Sequence, residues 1–224
     1  MKAPLLAVTL LSFALPAGLF AQAGAQDSYP FKINYAANLQ VGDSALDFTN
    51  SGASGGNICV NLYVFSPDEE EQTCCSCTLS PNSLWSATLV APGLNGTPGL
   101  LENTLTLDNN YLAHFHSAVV KALATTGNCA ANNAAIITGN TPLAAGLLAW
   151  GSHYHITATG AGAITETEFA TSTLSATEFG RMVNFCNFAL QNGSGAGICA
   201  GCALGGLVQT SSLTPKLAAA NKGL

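Results

Sequence analysis

Charged residues are scarce in this chain: Asp, Glu, Lys and Arg make up only 8% of its 224 residues. The six basic residues are scattered singly, at positions 2, 32, 121, 181, 216 and 222. Nucleic acids and anionic membrane surfaces are bound by clusters of Lys and Arg. The sequence therefore argues against a nucleic-acid partner, and its polar surface must consist mainly of Ser, Thr, Asn, Gln and Gly.

The sequence also lacks an apolar run of the roughly 20 residues that a membrane span requires. An apolar stretch at residues 5–15 follows Lys2 and precedes Pro16 and several small residues. This order is typical of a secretory signal peptide. We predict a signal peptide at residues 1–25, followed by a single secreted domain at 26–224. The product is expected in the periplasm or outside the cell and does not span the membrane.

Cysteine, in contrast, is abundant for a chain of this length. The eight cysteines are Cys59, Cys74, Cys75, Cys77, Cys129, Cys186, Cys199 and Cys202. Because thiols are oxidised outside the cytoplasm, an even number of cysteines in an exported chain predicts disulfides. Eight cysteines allow about 105 pairings, so the sequence leaves the connectivity open. Cys74 and Cys75 are expected to have different partners, because adjacent strand residues point to opposite faces.

Three other kinds of cysteine site, for zinc, for haem and for thioredoxin-type redox chemistry, fit the sequence less well than disulfides. Two Cys-x-x-Cys pairs, at 74–77 and 199–202, have the short spacing of zinc ligands, but about 120 residues separate them, more than zinc ribbons and fingers usually have. Neither pair is followed by the His that a haem attachment motif requires. A thioredoxin-type centre lies near a strand–helix–strand pattern, whereas the second pair here follows a helix. A bridge from Cys186 to Cys199 or Cys202 is a local alternative.

Most of the chain is organised as short strands between turns. Strand patterns occur at 31–36, 44–50, 58–65, 83–90, 101–107, 111–124 and 144–160. The segments 57–65 and 72–79 form a predicted hairpin around the acidic turn at 66–71. This spacing predicts a mainly β fold, an antiparallel β-sandwich of immunoglobulin-like or jelly-roll-like type, stapled by disulfides.

One helix is predicted near the C-terminus, at about 176–191. Ser175 and Glu178 form a capping box, and apolar residues at 179, 182, 183, 186 and 190 recur at helical spacing. Gly193 supplies the left-handed stop that ends many helices. We expect this helix to pack on the sandwich, tethered through Cys186.

The four histidines form two matching triplets, His114-Phe115-His116 and His153-Tyr154-His155. Residues i and i+2 of a strand face the same way, so each triplet presents two imidazoles while its aromatic residues, and Trp150, point into the core. If the two strands are neighbours, four imidazoles converge, and imidazole is a good ligand for copper and zinc. A Cu or Zn site is therefore one prediction, and no other cofactor is expected; the alternative is two ordinary strands with polar outer positions.

The acidic residues give weaker signals. Asp68 to Glu71 are contiguous, unlike the alternating acids of a calcium-binding loop, and we interpret them as a solvated hairpin tip. Glu166 and Glu168 share a strand face. They would be the acid pair of a glycoside- or polymer-cleaving enzyme, or simply exposed surface.

Two segments resemble a group of exported, cysteine-rich bacterial proteins with no assigned activity. They are residues 41–77, with four of the cysteines, and 173–207, with three more; an Ala149-Trp150-Gly151 strand and the Asn-Gly-Ser-Gly turn at 192–195 belong to the same pattern. The resemblance implies an exported, cysteine-bridged domain. His114, His116 and His153 are not part of it, and it implies no activity.

Together these observations favour a secreted structural, adhesive or ligand-binding module over an enzyme, with an extracellular or cell-surface partner. A metal-binding protein or metalloenzyme using the two histidine pairs is the alternative.

Overall fold

The computed structural model describes residues 28–40, 42–90, 99–104, 115–156, 160 and 162–199, without the side chains of residues 154 and 156. Its strands are β1 Phe31–Ala37, β2 Ser44–Asn50, β3 Ile58–Phe65, β4 Glu71–Leu79, β5 Leu84–Thr88, β6 Ser117–Thr126, β7 Leu147–Ile156, β8 Gly162–Glu168 and β9 Ala170–Thr171. Its helices are α1 Cys129–Asn132 and α2 Ala176–Asn192.

The strands form two antiparallel sheets. The five-stranded sheet has the order β4-β3-β6-β1-β9, and the four-stranded sheet has the order β5-β2-β7-β8. Every strand pair within them is antiparallel. The predicted β-sandwich with one C-terminal helix packed on it is confirmed.

The main core lies between the two sheets. The four-stranded sheet contributes alternate residues such as Leu46, Phe48, Leu147 and Ala149, and the five-stranded sheet contributes those of β3 and β6. The Phe48 ring stacks on Trp85 at 4.9 Å between centroids and meets Phe169 edge-on at 5.4 Å. Since a buried side chain of this size contributes about 1.5–3 kcal/mol, this aromatic cluster is a major source of cohesion between the strands.

A second core lies between the five-stranded sheet and α2. Tyr63, Phe65 and Leu123 on the sheet pack with Met182 and Ala189 on the helix, among others. All eight residues of β3 are buried, because one face of the strand meets the other sheet and the opposite face meets the helix layer. This double burial explains why "ICVNLYVF" is almost continuously apolar.

The capping residues fix both ends of α2. The Ser175 hydroxyl accepts a hydrogen bond from the Glu178 backbone N–H at 3.1 Å. Gly193 adopts the left-handed conformation, with φ of 68°, and its N–H bonds to the Leu190 carbonyl. The helix predicted at 176–191 is therefore confirmed to within one residue.

Disulfides join the layers at three described places. They link Cys59 to Cys129, Cys74 to Cys186 and Cys75 to Cys199; Cys77 is also disulfide-bonded, and Cys202 lies outside the described residues. The different partners predicted for Cys74 and Cys75 are confirmed: one bond faces α2, and the other faces the core between the sheets. The local bridge from Cys186 to Cys199 or Cys202 is wrong, because β4 runs alongside the chain that follows α2.

Two predicted strands differ from the structure. Residues 101–103 form a turn, while 105–107 lie outside the described residues. β6 begins at Ser117, so His116 precedes the strand. Within the described part of the chain, no helix has the length and apolar character to cross a membrane.

Candidate functional site

In the part of the chain that the structure describes, no helix covers the outer face of the four-stranded sheet, because α2 packs against the other sheet. In a strand, alternate residues share a face, and the cross-strand partners identify the set. We call "the outer face" the side chains of Leu84, Ser86 and Thr88 on β5, Ala45, Asp47 and Thr49 on β2, Leu148, Trp150 and Ser152 on β7, and Ile164, Glu166 and Glu168 on β8.

One row of side chains crosses the middle of the outer face. Ser86 lies opposite Asp47, Asp47 opposite Trp150, and Trp150 opposite Glu168. The Ser86 hydroxyl donates a hydrogen bond to the Asp47 carboxylate. Directly opposed side chains on paired strands are about 5 Å apart at Cβ, so a half-buried indole lies between two carboxylates.

The charge of the outer face has one sign. Asp47, Glu166 and Glu168 contribute carboxylates, the serines and threonines contribute hydroxyls, and no Lys, Arg or His belongs to the set. Such a surface accepts hydrogen bonds from hydroxyl or amine donors, offers an indole for stacking, and repels anions. Glu166 and Glu168 share this face, as predicted.

The position of Trp150 corrects an expectation from the sequence. The sequence predicts Trp150 in the core, with the histidines of the same strand pointing outward. Instead Leu147 and Ala149 face the core, and Trp150 faces away from it. The reason is that the small residues at 149 and 151 leave room for the opposing sheet, which a tryptophan would not.

Gly151 lies directly against β1 of the opposing sheet. A Cβ atom on Gly151 would lie 2.8 Å from the Asn34 side-chain oxygen. Asn34 is buried on the inner side of β1, and its amide donates to the Thr167 hydroxyl at 3.4 Å. Gly151 thus lets β1 support the strand that carries Trp150.

The second histidine pair lies on the inner side of β7. His153 is buried, with its Nδ1 at 2.9 Å from the Ser44 hydroxyl and its Nε2 at 3.4 Å from the Thr167 hydroxyl. Burial lowers the pKa of His153, and the neighbouring His155 lowers it further. The Nε2 of His155 is 2.7 Å from the Thr165 hydroxyl.

The first histidine pair is only partly described. His116 is exposed and precedes β6, which belongs to the five-stranded sheet, whereas β7 belongs to the other. His114 lies outside the described residues. Over the residues that the structure describes, no group of three or more His, Cys, Asp or Glu side chains is arranged to hold a metal ion. The copper or zinc site therefore stays a prediction.

The acidic turn divides into two environments. Residues 68–70 are exposed, as predicted for a solvated hairpin tip, but Glu71 is only 4% exposed. Within the described residues, neither of its carboxylate oxygens has a hydrogen-bond partner. Burial raises the pKa of Glu71 to about 9; Lys121 and Arg181 oppose this rise and Glu178 adds to it. The sequence missed this buried acid because Glu71 directly continues an exposed acidic run.

No family model, no curated protein and no solved structure matches the chain.

Proposed function

We propose that the chain is an exported, disulfide-braced binding module whose outer face recognises a neutral, hydroxyl-rich polymer such as a polysaccharide. The observation that carries the proposal is the row of Asp47, Trp150 and Glu168 across the middle of an open sheet. An indole stacks on the apolar face of a sugar ring. Carboxylates on both sides accept hydrogen bonds from the ring hydroxyls.

The paired strands and the core packing behind the outer face favour a rigid binding surface over an adaptable one. The outer face lies on paired strands, backed by the aromatic packing around Phe48. Recognition groups on rigid elements lose little conformational entropy on binding. The disulfides suit an oxidising compartment, in agreement with the signal peptide predicted from the sequence.

A catalytic role has less support than binding. Glu166 and Glu168 lie on the exposed edge strand β8, where Glu168 borders an open groove together with Thr167 and Ser172. Acid catalysis by a carboxyl group generally requires a pKa raised by a desolvated environment. Burial strongly raises the pKa of Glu71, but this carboxyl group lies on the other sheet, beside α2.

Affinity electrophoresis tests the proposal. Mature protein is run in native gels containing a neutral polymer (hydroxyethylcellulose, xyloglucan or dextran), glycol chitosan as a cationic probe, or polygalacturonate as an anionic probe. At least one neutral polymer is expected to retard the wild type, and Trp150→Ala should weaken that retardation about tenfold or more, since anchor residues are worth over 1.4 kcal/mol. Phe188→Ala is the matched control, because Phe188 is an exposed aromatic residue on α2, at the opposite side of the molecule.

Salt dependence separates the proposed ligand class from a cationic one. Stacking and neutral hydrogen bonds change little between low and high salt, whereas attraction between carboxylates and a cationic partner is screened. Binding that is confined to cationic polymers and lost in salt would overturn the polysaccharide assignment. Equal binding by wild type and Trp150→Ala would remove the outer face as the ligand site.

A further inference from the structure

The edge strand β8 is unusually open. All seven of its residues, Gly162–Glu168, are exposed, and Ile164 is 73% exposed. β8 pairs with β7 on one side only. Even Ala163, Thr165 and Thr167, which point toward the inner side of the sheet, are exposed, so β8 extends past the edge of the opposing sheet.

The other sheet edges, as far as they are described, are covered or short. The β4 edge is bridged by the chain after α2, where Cys74 and Gly197 are hydrogen-bonded at 2.9 Å. The β5 edge receives a hydrogen bond from Leu100 to Thr88 at 2.8 Å. β9 has only two residues. Proteins usually protect an edge with Pro, charged side chains, a bulge or a covering segment. Among the described residues, β8 has no Pro, bulge or covering segment, and its only charged side chains are Glu166 and Glu168.

The hydrogen-bonding pattern identifies which groups of β8 point outward. The Phe169 N–H donates to the Ala149 carbonyl at 2.9 Å, so residues 169, 167, 165 and 163 face β7. In an antiparallel pair the next residues alternate. The backbone groups of Gly162, Ile164, Glu166 and Glu168 therefore point away from the sheet.

We propose that a second copy of this chain adds to this edge, with the two β8 strands antiparallel and Thr165 on the two-fold axis. This register places Ile164 opposite Glu166 of the second copy and Gly162 opposite its Glu168. Every outward backbone group then has a partner, giving up to about eight hydrogen bonds.

Charge favours this register over its neighbours. Centring the pair on Glu166 would place two carboxylates directly opposite each other, which destabilises strand pairing. Centring it on Ile164 would leave Glu168 outside the paired segment. With Thr165 at the centre, each acidic residue faces an uncharged one and the whole strand is paired. The closed two-fold arrangement limits the assembly to a dimer.

The resulting dimer has a continuous eight-stranded sheet. Its two-fold axis is perpendicular to the sheet, so both outer faces lie on the same side. Where the proposed polymer-binding function holds, the two Trp150 rows form one bivalent surface, and linked sites raise the apparent affinity for a polymer. The strand pairing itself does not depend on the ligand. An interface of one strand pair is smaller than a standard one, so we expect a weak dimer.

Sedimentation equilibrium of the mature, oxidised protein tests the pairing, from about 10 μM to 1 mM, the range expected of a weak complex. The weight-average mass is expected to rise toward that of a dimer. Ile164→Pro should keep the protein monomeric, because its outward N–H is not needed by β7 and proline is tolerated at such edge positions. A wild type that stays monomeric at 1 mM, or an Ile164→Pro variant that still dimerises, overturns the proposal.

A cross-linking pair checks the register independently of proline. In Thr165→Cys the two new sulfur atoms face each other across the axis, at the short Cβ separation of a non-hydrogen-bonded pair, and oxidation should give a covalent dimer. Ala163→Cys is the matched control, since residue 163 lies opposite Thr167 of the second copy. Equal cross-linking of the two variants would reject the register. Since both measurements omit polymer, their outcome is separate from that of the binding test.

Discussion

The buried carboxyl group of Glu71 makes the stability of this protein depend on pH in an unusual direction. Its pKa is about 9 in the folded protein against an ordinary value of 4.5. Between these values the unfolded chain has lost the proton and the folded protein retains it. The contribution of Glu71 to the free energy of unfolding is therefore most favourable below pH 4.5, and it decreases as the pH rises toward 9.

The magnitude follows from the size of the shift. One pH unit within the window costs about 1.4 kcal/mol, so at pH 7 the group removes about 3 kcal/mol of stability relative to pH 4.5. A glutamine at this position has the same shape and no charge at any of these pH values. We expect Glu71→Gln to equal the wild type near pH 4.5, apart from a constant offset, and to exceed it by about 3 kcal/mol at pH 7.

Urea unfolding at several pH values between 4.5 and 8, with the disulfides intact, measures this difference. Glu70→Gln is the matched control: it removes the same charge one residue earlier, where the side chain is exposed, and should leave the pH profile nearly unchanged. Parallel stability profiles for wild type and Glu71→Gln would show that Glu71 is ionised in the folded protein and would refute the reasoning.

Three further predictions concern packing, cross-linking and metal. Gly151→Ala should destabilise the fold by about 1–3 kcal/mol in urea unfolding, because the new methyl group would collide with Asn34. Ala163→Gly, on the exposed edge strand, is the control and should have a small effect. An unchanged unfolding midpoint for Gly151→Ala would contradict the close contact between Gly151 and Asn34. Replacing Cys74 and Cys186 by Ala removes a link between residues 112 apart in the chain. Because the Cys75–Cys199 bond remains, the loop that this link closes has only about 15 residues, and its loss should cost about 3 kcal/mol. A loss below about 1 kcal/mol in urea unfolding would count against a stabilising role of this disulfide. Calorimetric titration with Cu(II) and Zn(II) tests the predicted histidine site. We expect binding heat at neutral pH that is lost below the imidazole pKa of about 6.5 and in the His155→Ala variant. The absence of binding heat at neutral pH would refute the prediction.

The candidate site shows where inference from the sequence stopped. Strand alternation correctly divided β7 into two sets, with Trp150 in one and His153 in the other, and correctly placed Glu166 and Glu168 on one face. Alternation alone does not determine which set faces the other sheet. The apolar character of the indole favoured a buried Trp150, and that prediction was wrong. The space opposite β7 is set by Asn34 on β1, more than a hundred residues away in the chain.

The sequence by itself determined the features that depend on neighbouring residues. The strand and turn periodicity, the helix between Ser175 and Gly193, and the opposite directions of Cys74 and Cys75 follow from local backbone geometry. The tertiary structure alone decided the partners of the cysteines, the burial of Glu71, the outward position of Trp150 and the open edge of β8. These depend on which distant strands become neighbours, and such pairing is governed by packing between the sheets and the helix rather than by the residues of any one strand.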